Sequence, residues 1–331
     1  MGVFVFLPLF LPLTAVPIAR LAEQHLHPRG AARLLTSIGA VMALCSAVCL
    51  GLTGVVGTAQ LPGNPLPDSW SDPEVRAALP YHETVGTAAI CLLAAVAAAC
   101  LRTVVRHLRV RARARRALGR RVVGGAGGVG GAGGTGAAGA GAPGADDVAV
   151  LPDASPYAYA LPGSPGWVVV STGMLAGLAA DERAALLAHE RAHLEHRHHR
   201  YLLATQLAGC VNPFLRPLQQ AVAYSAERWA DEESAQAVGD RRVTARAVAR
   251  AALVSHRAPV PGFAAFAAPG PVPRRVAALL GPVPAARNWP PAHTRAGVAA
   301  MVAAIGTAAS ALCAVNAAVA LLLVLKAVTP L

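Results

Sequence analysis

The run ERAALLAHERAHLEHRHHR, residues 182–200, places five histidines, three glutamates and four arginines in nineteen positions. Ala185, Leu186, Ala188, Ala192 and Leu194 supply apolar contacts at helical spacing, so the whole run is expected to form one helix, with Asp181 as its N-cap and Glu182 in its first turn. Within it His189-Glu190-Arg191-Ala192-His193 is an HExxH motif. Two histidines four residues apart share a helix face, and both imidazoles can reach one metal ion. The glutamate after the first histidine then stands beside that ion, where it can take a proton from an attacking water. Solvated charge on a helix face is the plain alternative.

Two imidazoles do not complete a hydrolytic zinc centre, which needs a third protein ligand and an open fourth position. AERWADEE, residues 226–233, offers Glu227, with Asp231 one helical turn later. A helix expected over 218–238 can fold back on the first, with Glu227 as ligand and Asp231 accepting a hydrogen bond from a ligand imidazole. His196, His198 and His199 read as solvated or lipid-facing charge. Tyr201, Tyr224 or one of these histidines is a candidate donor to an oxyanion, and spacing does not choose among them.

Outside this region the chain is apolar. Of its 331 residues 55% are hydrophobic and 14% charged, against roughly 25% charged in an average soluble domain. Residues 3–19, 34–60, 84–101 and 298–325 are uncharged runs near or above the length of about 20 residues that crosses a bilayer. The first carries Pro8, Pro12 and Pro17, which should bend it, and it lacks the basic start of a signal peptide. Four transmembrane helices are therefore expected. The net charge of +12 is concentrated beside these runs. Arg20, Arg29 and Arg33 separate the first two, and nine arginines fall within residues 102–121, whereas residues 61–83 hold four acidic residues against one arginine. Arginine-rich loops stay cytoplasmic, which places 102–295 inside and both termini outside a bacterial-type cell membrane. The lipid bilayer is the expected partner of the basic run. Nucleic acid is not, since no DNA-reading motif accompanies the charge. The six cysteines contain no CxxC pair and read as buried small hydrophobes.

The fold class expected is mainly α: a polytopic membrane protein with an inserted helical, zincin-like peptidase domain bearing a small β-hairpin or sheet. Residues 1–121 form an N-terminal membrane region, 122–145 a Gly/Ala linker, 146–295 the cytoplasmic domain and 296–331 the last span. The linker is too poor in side chains to order itself. Residues 157–161 and 167–171 read as short strands around the turn PGSPG, followed by a helix near 174–178. Residues 201–211 are apolar but too short to span, and either pack in the domain core or dip into the membrane surface. A third helix is expected over 241–254, and a proline-rich stretch from 259 to 291 leads to the last span.

The order WVVVSTGML, LLAHERAH, an apolar stretch ending VNPF, then SAERWAD resembles the membrane-embedded Glu-zincin metallopeptidases of the BlaR/MecR antirepressor type, relatives of the HtpX-type peptidases. The resemblance covers residues 157–235 and, in layout only, the spans. It implies one Zn2+ per chain held by His189, His193 and Glu227, with Glu190 catalytic and Asp231 supporting. The β-lactam sensors of that family carry a penicillin-binding domain after the last span. No SxxK motif occurs here, so direct β-lactam sensing is not expected. The function expected is a zinc metalloendopeptidase acting on a protein or peptide substrate at the cytoplasmic face, in antirepressor-like signalling. The rivals are a non-proteolytic metal-binding membrane protein and a relative that only transmits a signal.

Overall fold

The computed structural model describes residues 2–59, 66, 70, 82–125, 147–255, 272–284 and 289–328. The acidic loop expected over 61–83 and the linker expected over 122–145 lie mostly outside the described residues. By internal contacts the chain divides into two compact units: Met1–Val104 with Tyr201–Val222 and Ala285–Leu331, and Val105–Arg200 with Ala223–Pro284.

The first unit is helical. Helices α1 (Val16–His25), α2 (Pro28–Ala59), the first part of α3 (His82–Gly125) and α10 (Arg295–Val328) build it. Three stretches, Pro28–Ala59, Thr84–Gly119 and Arg295–Ala327, are long and apolar enough to cross a membrane. Residues 3–19, expected as a further span, are not one continuous helix. They form a 3-10 turn, a four-residue helix, a second 3-10 turn and the start of α1. Proline is the reason. Pro12 has no N–H to give the carbonyl of Pro8, four residues earlier; Ser46 Oγ donates to that carbonyl instead, at 2.7 Å. Asn212 Nδ2 donates to the next carbonyl, of Leu9, at 2.9 Å and to Ser46 Oγ at 3.1 Å. The Asn-Pro-Phe turn is thus fastened to the bent N-terminal segment.

Residues 201–211, expected in the core of the cytoplasmic domain or at the membrane surface, lie on helix α6 (His198–Val211). Tyr201, Ala208 and Val211 pack with Ala15, Leu35 and Ala300 in the core of this first unit and not in that of the second. Helices α2 and α3 touch backbone to backbone where Gly57 meets Gly86. A Cβ on Gly57 would lie 2.6 Å from the Gly86 backbone, so only glycine permits the approach. All six cysteines are free.

The second unit holds a three-stranded sheet in the order β1-β3-β2, from β1 (Val148–Leu151), β2 (Ala158–Leu161) and β3 (Trp167–Ser171). β1 runs parallel to β3, and β2 antiparallel to it, with Ala160 opposite Val168. Val168, Val169 and Val170 are each 0% exposed. An unbroken apolar run covered on both faces is what a central strand requires. Val169 faces Leu118, Leu151 and Leu161, and Val170 faces Met174, Leu178 and Leu186. The two strands expected from sequence are β2 and β3; β1 is an addition.

Helix α4 (Thr172–Ala176) follows β3 directly. Its cap is Ser171, whose hydroxyl accepts the backbone N–H groups of Met174 at 3.1 Å and Tyr157 at 3.0 Å. Helices α5 (Ala180–Glu195), α7 (Arg216–Val238), α8 (Arg241–Ser255) and α9 (Val272–Leu280) complete the elements that contribute to this unit. The expected cap at Asp181 is corrected: α5 starts after Ala179, whose N–H donates to Glu182 Oε2 at 2.9 Å. The carboxylate three residues on therefore reaches back to the helix start, while Asp181 lies within the first turn.

Candidate metal centre

Helix α5 ends sooner than the sequence suggests. The run 182–200 is not one helix. Arg197 adopts φ 53°, in the left-handed region, and α6 starts at His198. Left-handed backbone is costly for a residue with a Cβ, so packing around the turn must hold it. The consequence is that His198 folds back towards the helix it has just left.

His189 and His193, one turn apart on α5, direct their Nε2 atoms to within 3.1 Å of each other. Glu227 on α7 completes the group. Its Oε2 lies 3.5 Å from His189 Nε2 and its Oε1 3.5 Å from His193 Nε2. These three residues form a group that could hold a metal ion. Two imidazoles and a carboxylate are a donor set that fits zinc. Tetrahedral ligands about 2.0–2.1 Å from Zn2+ stand about 3.3–3.4 Å from one another, and here the two imidazole nitrogens are 3.1 Å apart with a separate oxygen of Glu227 facing each at 3.5 Å. The carboxylate reaches this point because α7 is tied to α5. Ser234 Oγ, two turns beyond Glu227, donates to the Ala185 carbonyl at 2.7 Å.

Asp231, one turn after Glu227, is fully buried, and its Oδ1 lies 3.1 Å from His189 Nδ1. Sequence spacing anticipates that pairing. It does not anticipate Arg275, on a nine-residue helix within the proline-rich stretch. The Arg275 guanidinium reaches Glu227 Oε2 with Nη1 at 2.8 Å and Asp231 with Nε at 2.8 Å and Nη2 at 2.5 Å. Helix α9 is held in turn by Arg241, which donates to the Ala278 and Gly281 carbonyls and to Glu232. The signal for α9 was the pattern Val272, Val276, Leu279 and Leu280, obscured by its short length and flanking prolines.

His196 and His198 are corrected as well: both pack against the protein, His198 buried and His196 half-buried. His198 is 1% exposed, and its Nδ1 lies 2.8 Å from His193 Nδ1. His196 stacks on Trp229 with ring centroids 4.5 Å apart, and its Nε2 lies 3.1 Å from Glu233 Oε1. Of the candidate oxyanion donors, Tyr201 packs in the other unit's core and Tyr224 lies beneath the Arg274 guanidinium.

Burial and charge set the protonation states of the metal-free site. Burial opposes charge on His189, but the Asp231 and Glu227 carboxylates outweigh it and raise this histidine to about 10. It therefore carries a proton at neutral pH, which a metal ion binding Nε2 must displace. His193, whose burial is less compensated, is lowered to about 4 and stays neutral. His198 is pushed down to about 2 by burial and the neighbouring histidines. Burial alone would raise Glu227 and Asp231. Arg275 reverses this and holds both carboxyls below their ordinary range.

Glu190 behaves differently. Burial, with Glu227 nearby, raises its carboxyl to about 6, although it accepts the backbone N–H of Ala160 on β2. A carboxylate with a value just below neutrality is a proton acceptor suited to neutral pH. The site therefore joins two imidazoles and a carboxylate that could hold a metal ion with a second carboxylate, Glu190, that accepts from an edge strand.

Residues 134–211 match peptidase family M48. No curated protein and no solved structure matches the chain. The matched span takes in the sheet and the HExxH helix, and it supports a zincin-type metallopeptidase. It ends before Glu227, Asp231 and Arg275, whose place beside the two histidines rests on the geometry.

Proposed function

We propose that this chain is a membrane-bound zinc metalloendopeptidase. One zinc ion is held by His189, His193 and Glu227, and Glu190 is its catalytic base. The convergence of two imidazole nitrogens from α5 and the Glu227 carboxylate from α7 on one point carries the reading. Zinc, when bound, supplies a Lewis acid that acidifies water and polarises a peptide carbonyl. The protein groups do the rest. Glu190 accepts the proton of the attacking water on its carboxylate and delivers it to the departing amine nitrogen. Asp231 holds the imidazole of His189 through Nδ1, and Arg275 fixes both Asp231 and Glu227.

β2 is an edge strand of its sheet and touches Glu190 through Ala160. An extended peptide added along that edge would bring a backbone carbonyl to the site, which favours a protein or peptide substrate. The three long apolar helices support a multi-pass membrane protein. The arginines of residues 102–121 support a cytoplasmic peptidase and an external C-terminus. With residues 3–19 as a fourth, proline-bent span, the N-terminus is external too. This layout, with the motif order, favours a BlaR/MecR-type antirepressor role over an HtpX-type one.

The test is metal content and cleavage together. The detergent-solubilised chain should carry one equivalent of zinc by elemental analysis and cleave an unfolded protein. A chelator should abolish cleavage and added zinc restore it. Stoichiometric zinc without cleavage of any polypeptide, the behaviour of a purely metal-binding protein, would sink the peptidase reading.

Glu190 also fixes a pH limb. It must be ionised to accept a proton, so activity is lost as pH falls through its value. A nearby cation favours the carboxylate, so the limb should lie at or below pH 6, the value burial gives it in the metal-free site. Below that limb kcat/KM should drop about tenfold per pH unit. A limb near pH 8 would show that another group titrates.

A further inference from the structure

We propose that His198 is the positioning residue for His193, its Nδ1 accepting the Nδ1–H of His193 so that Nε2 is presented to a divalent metal. The inference rests on the proposed ligand role of His193, and adds to it which group fixes that ligand's tautomer.

The assignment follows from counting protons. A neutral imidazole carries one, and a ring that binds metal through Nε2 must carry it on Nδ1. His193 Nε2 faces His189 Nε2 and Glu227, so its proton belongs on Nδ1. His198 Nδ1 stands 2.8 Å from that atom. It must then be the acceptor, and the proton of His198 lies on its own Nε2. That Nε2 is buried with no hydrogen-bond partner among the described residues. The fold thus leaves one buried polar atom unpaired while pairing the other with His193.

The chain path serves the same contact. On an uninterrupted helix, residues five apart point about 140° away from each other. The left-handed turn at Arg197 breaks that path and returns His198 to His193, their rings edge to face with centroids 4.8 Å apart. Trp229 on α7 backs His198 at 4.7 Å between centroids, and its indole N–H donates to Glu233 at 2.9 Å. Glu233 in turn lies beside His196. Two neighbouring ligands are therefore served by different chemistry. His189 has a carboxylate behind it, and His193 a neutral ring that orients without adding negative charge to a site already holding Glu190, Glu227 and Asp231.

Zinc affinity, read by competition with a chromophoric chelator on the solubilised full chain, tests this directly. His198→Phe keeps a ring against Trp229 and removes the acceptor; it should weaken zinc binding about 10- to 100-fold. His198→Asn places an amide oxygen near the lost Nδ1 and should recover affinity to within about threefold of the unmodified chain. Equal affinity in the Phe variant and the unmodified chain would overturn the inference, as would equal weakening in both variants. If the Phe variant does not fold, the Asn variant decides alone, retained affinity supporting the assignment and a loss of about tenfold or more overturning it. An unmodified chain that takes up no zinc would instead remove the proposed metal site itself, so the two failures are distinguishable.

Discussion

Glu190→Gln should abolish peptide cleavage while leaving zinc in place. Gln matches the shape of Glu but cannot take a proton at any working pH. A positioned general base contributes about 10^2- to 10^4-fold, so kcat should fall by about that factor with little change in KM. Metal content should stay at one equivalent, because the proposed ligands are His189, His193 and Glu227 and not Glu190. The two readouts separate the roles. Loss of both cleavage and zinc would make Glu190 part of the metal's support, and retained cleavage would remove it from the chemistry. The variant also leaves the donation from the Ala160 backbone to residue 190 intact, since the Gln carbonyl oxygen can accept it.

Removal of Arg275 should have the largest effect on stability. Arg275 is 6% exposed, and its guanidinium contacts both Glu227 and Asp231. Arg275→Leu leaves two buried carboxylates with only the protonated His189 to balance them. Breaking a buried pair by deleting one partner costs about 3–5 kcal/mol. The metal-free variant should lose stability by that amount, measured as a lowered Tm. Zinc should then raise the Tm of the variant more than that of the unmodified chain, because the cation compensates the same carboxylates. Arg275→Lys keeps the charge but not the planar fork that reaches Glu227 and Asp231 at once, and should fall between the two. An unchanged metal-free Tm in Arg275→Leu would show that the cluster does not depend on this arginine.

These two residues differ in how far the sequence exposes them. Glu190 is legible because its chemistry is local: one helical turn fixes His189, Glu190 and His193 relative to each other. Glu227 and Asp231 are legible by the same rule on a second helix, once a third ligand is sought. Arg275 follows no such rule. Its helix spans only nine residues among prolines, and its partners lie 44 positions earlier or more. β1 was hidden for a related reason, since four residues are too few to display a period. The expected single helix over 182–200 failed because helix propensity alone governs that reading, and the turn at Arg197 is held by contacts from α7. Residues 3–19 show the converse. Their prolines announce a bend, but not the Ser46 and Asn212 side chains that take up the carbonyls it frees.

By itself the sequence determined the helices long and apolar enough to cross a membrane, the largely helical content and the pairing of an HExxH turn with a Glu-x-x-x-Asp turn. Each follows from composition or from spacing within one helix, where geometry is set by the backbone. Tertiary structure alone decided that Glu227 meets the two histidines, that Arg275 neutralises the carboxylates and that His198 backs His193. Those contacts join segments distant in the chain or divided by a turn, and their distances are set by packing between helices, which no local period encodes.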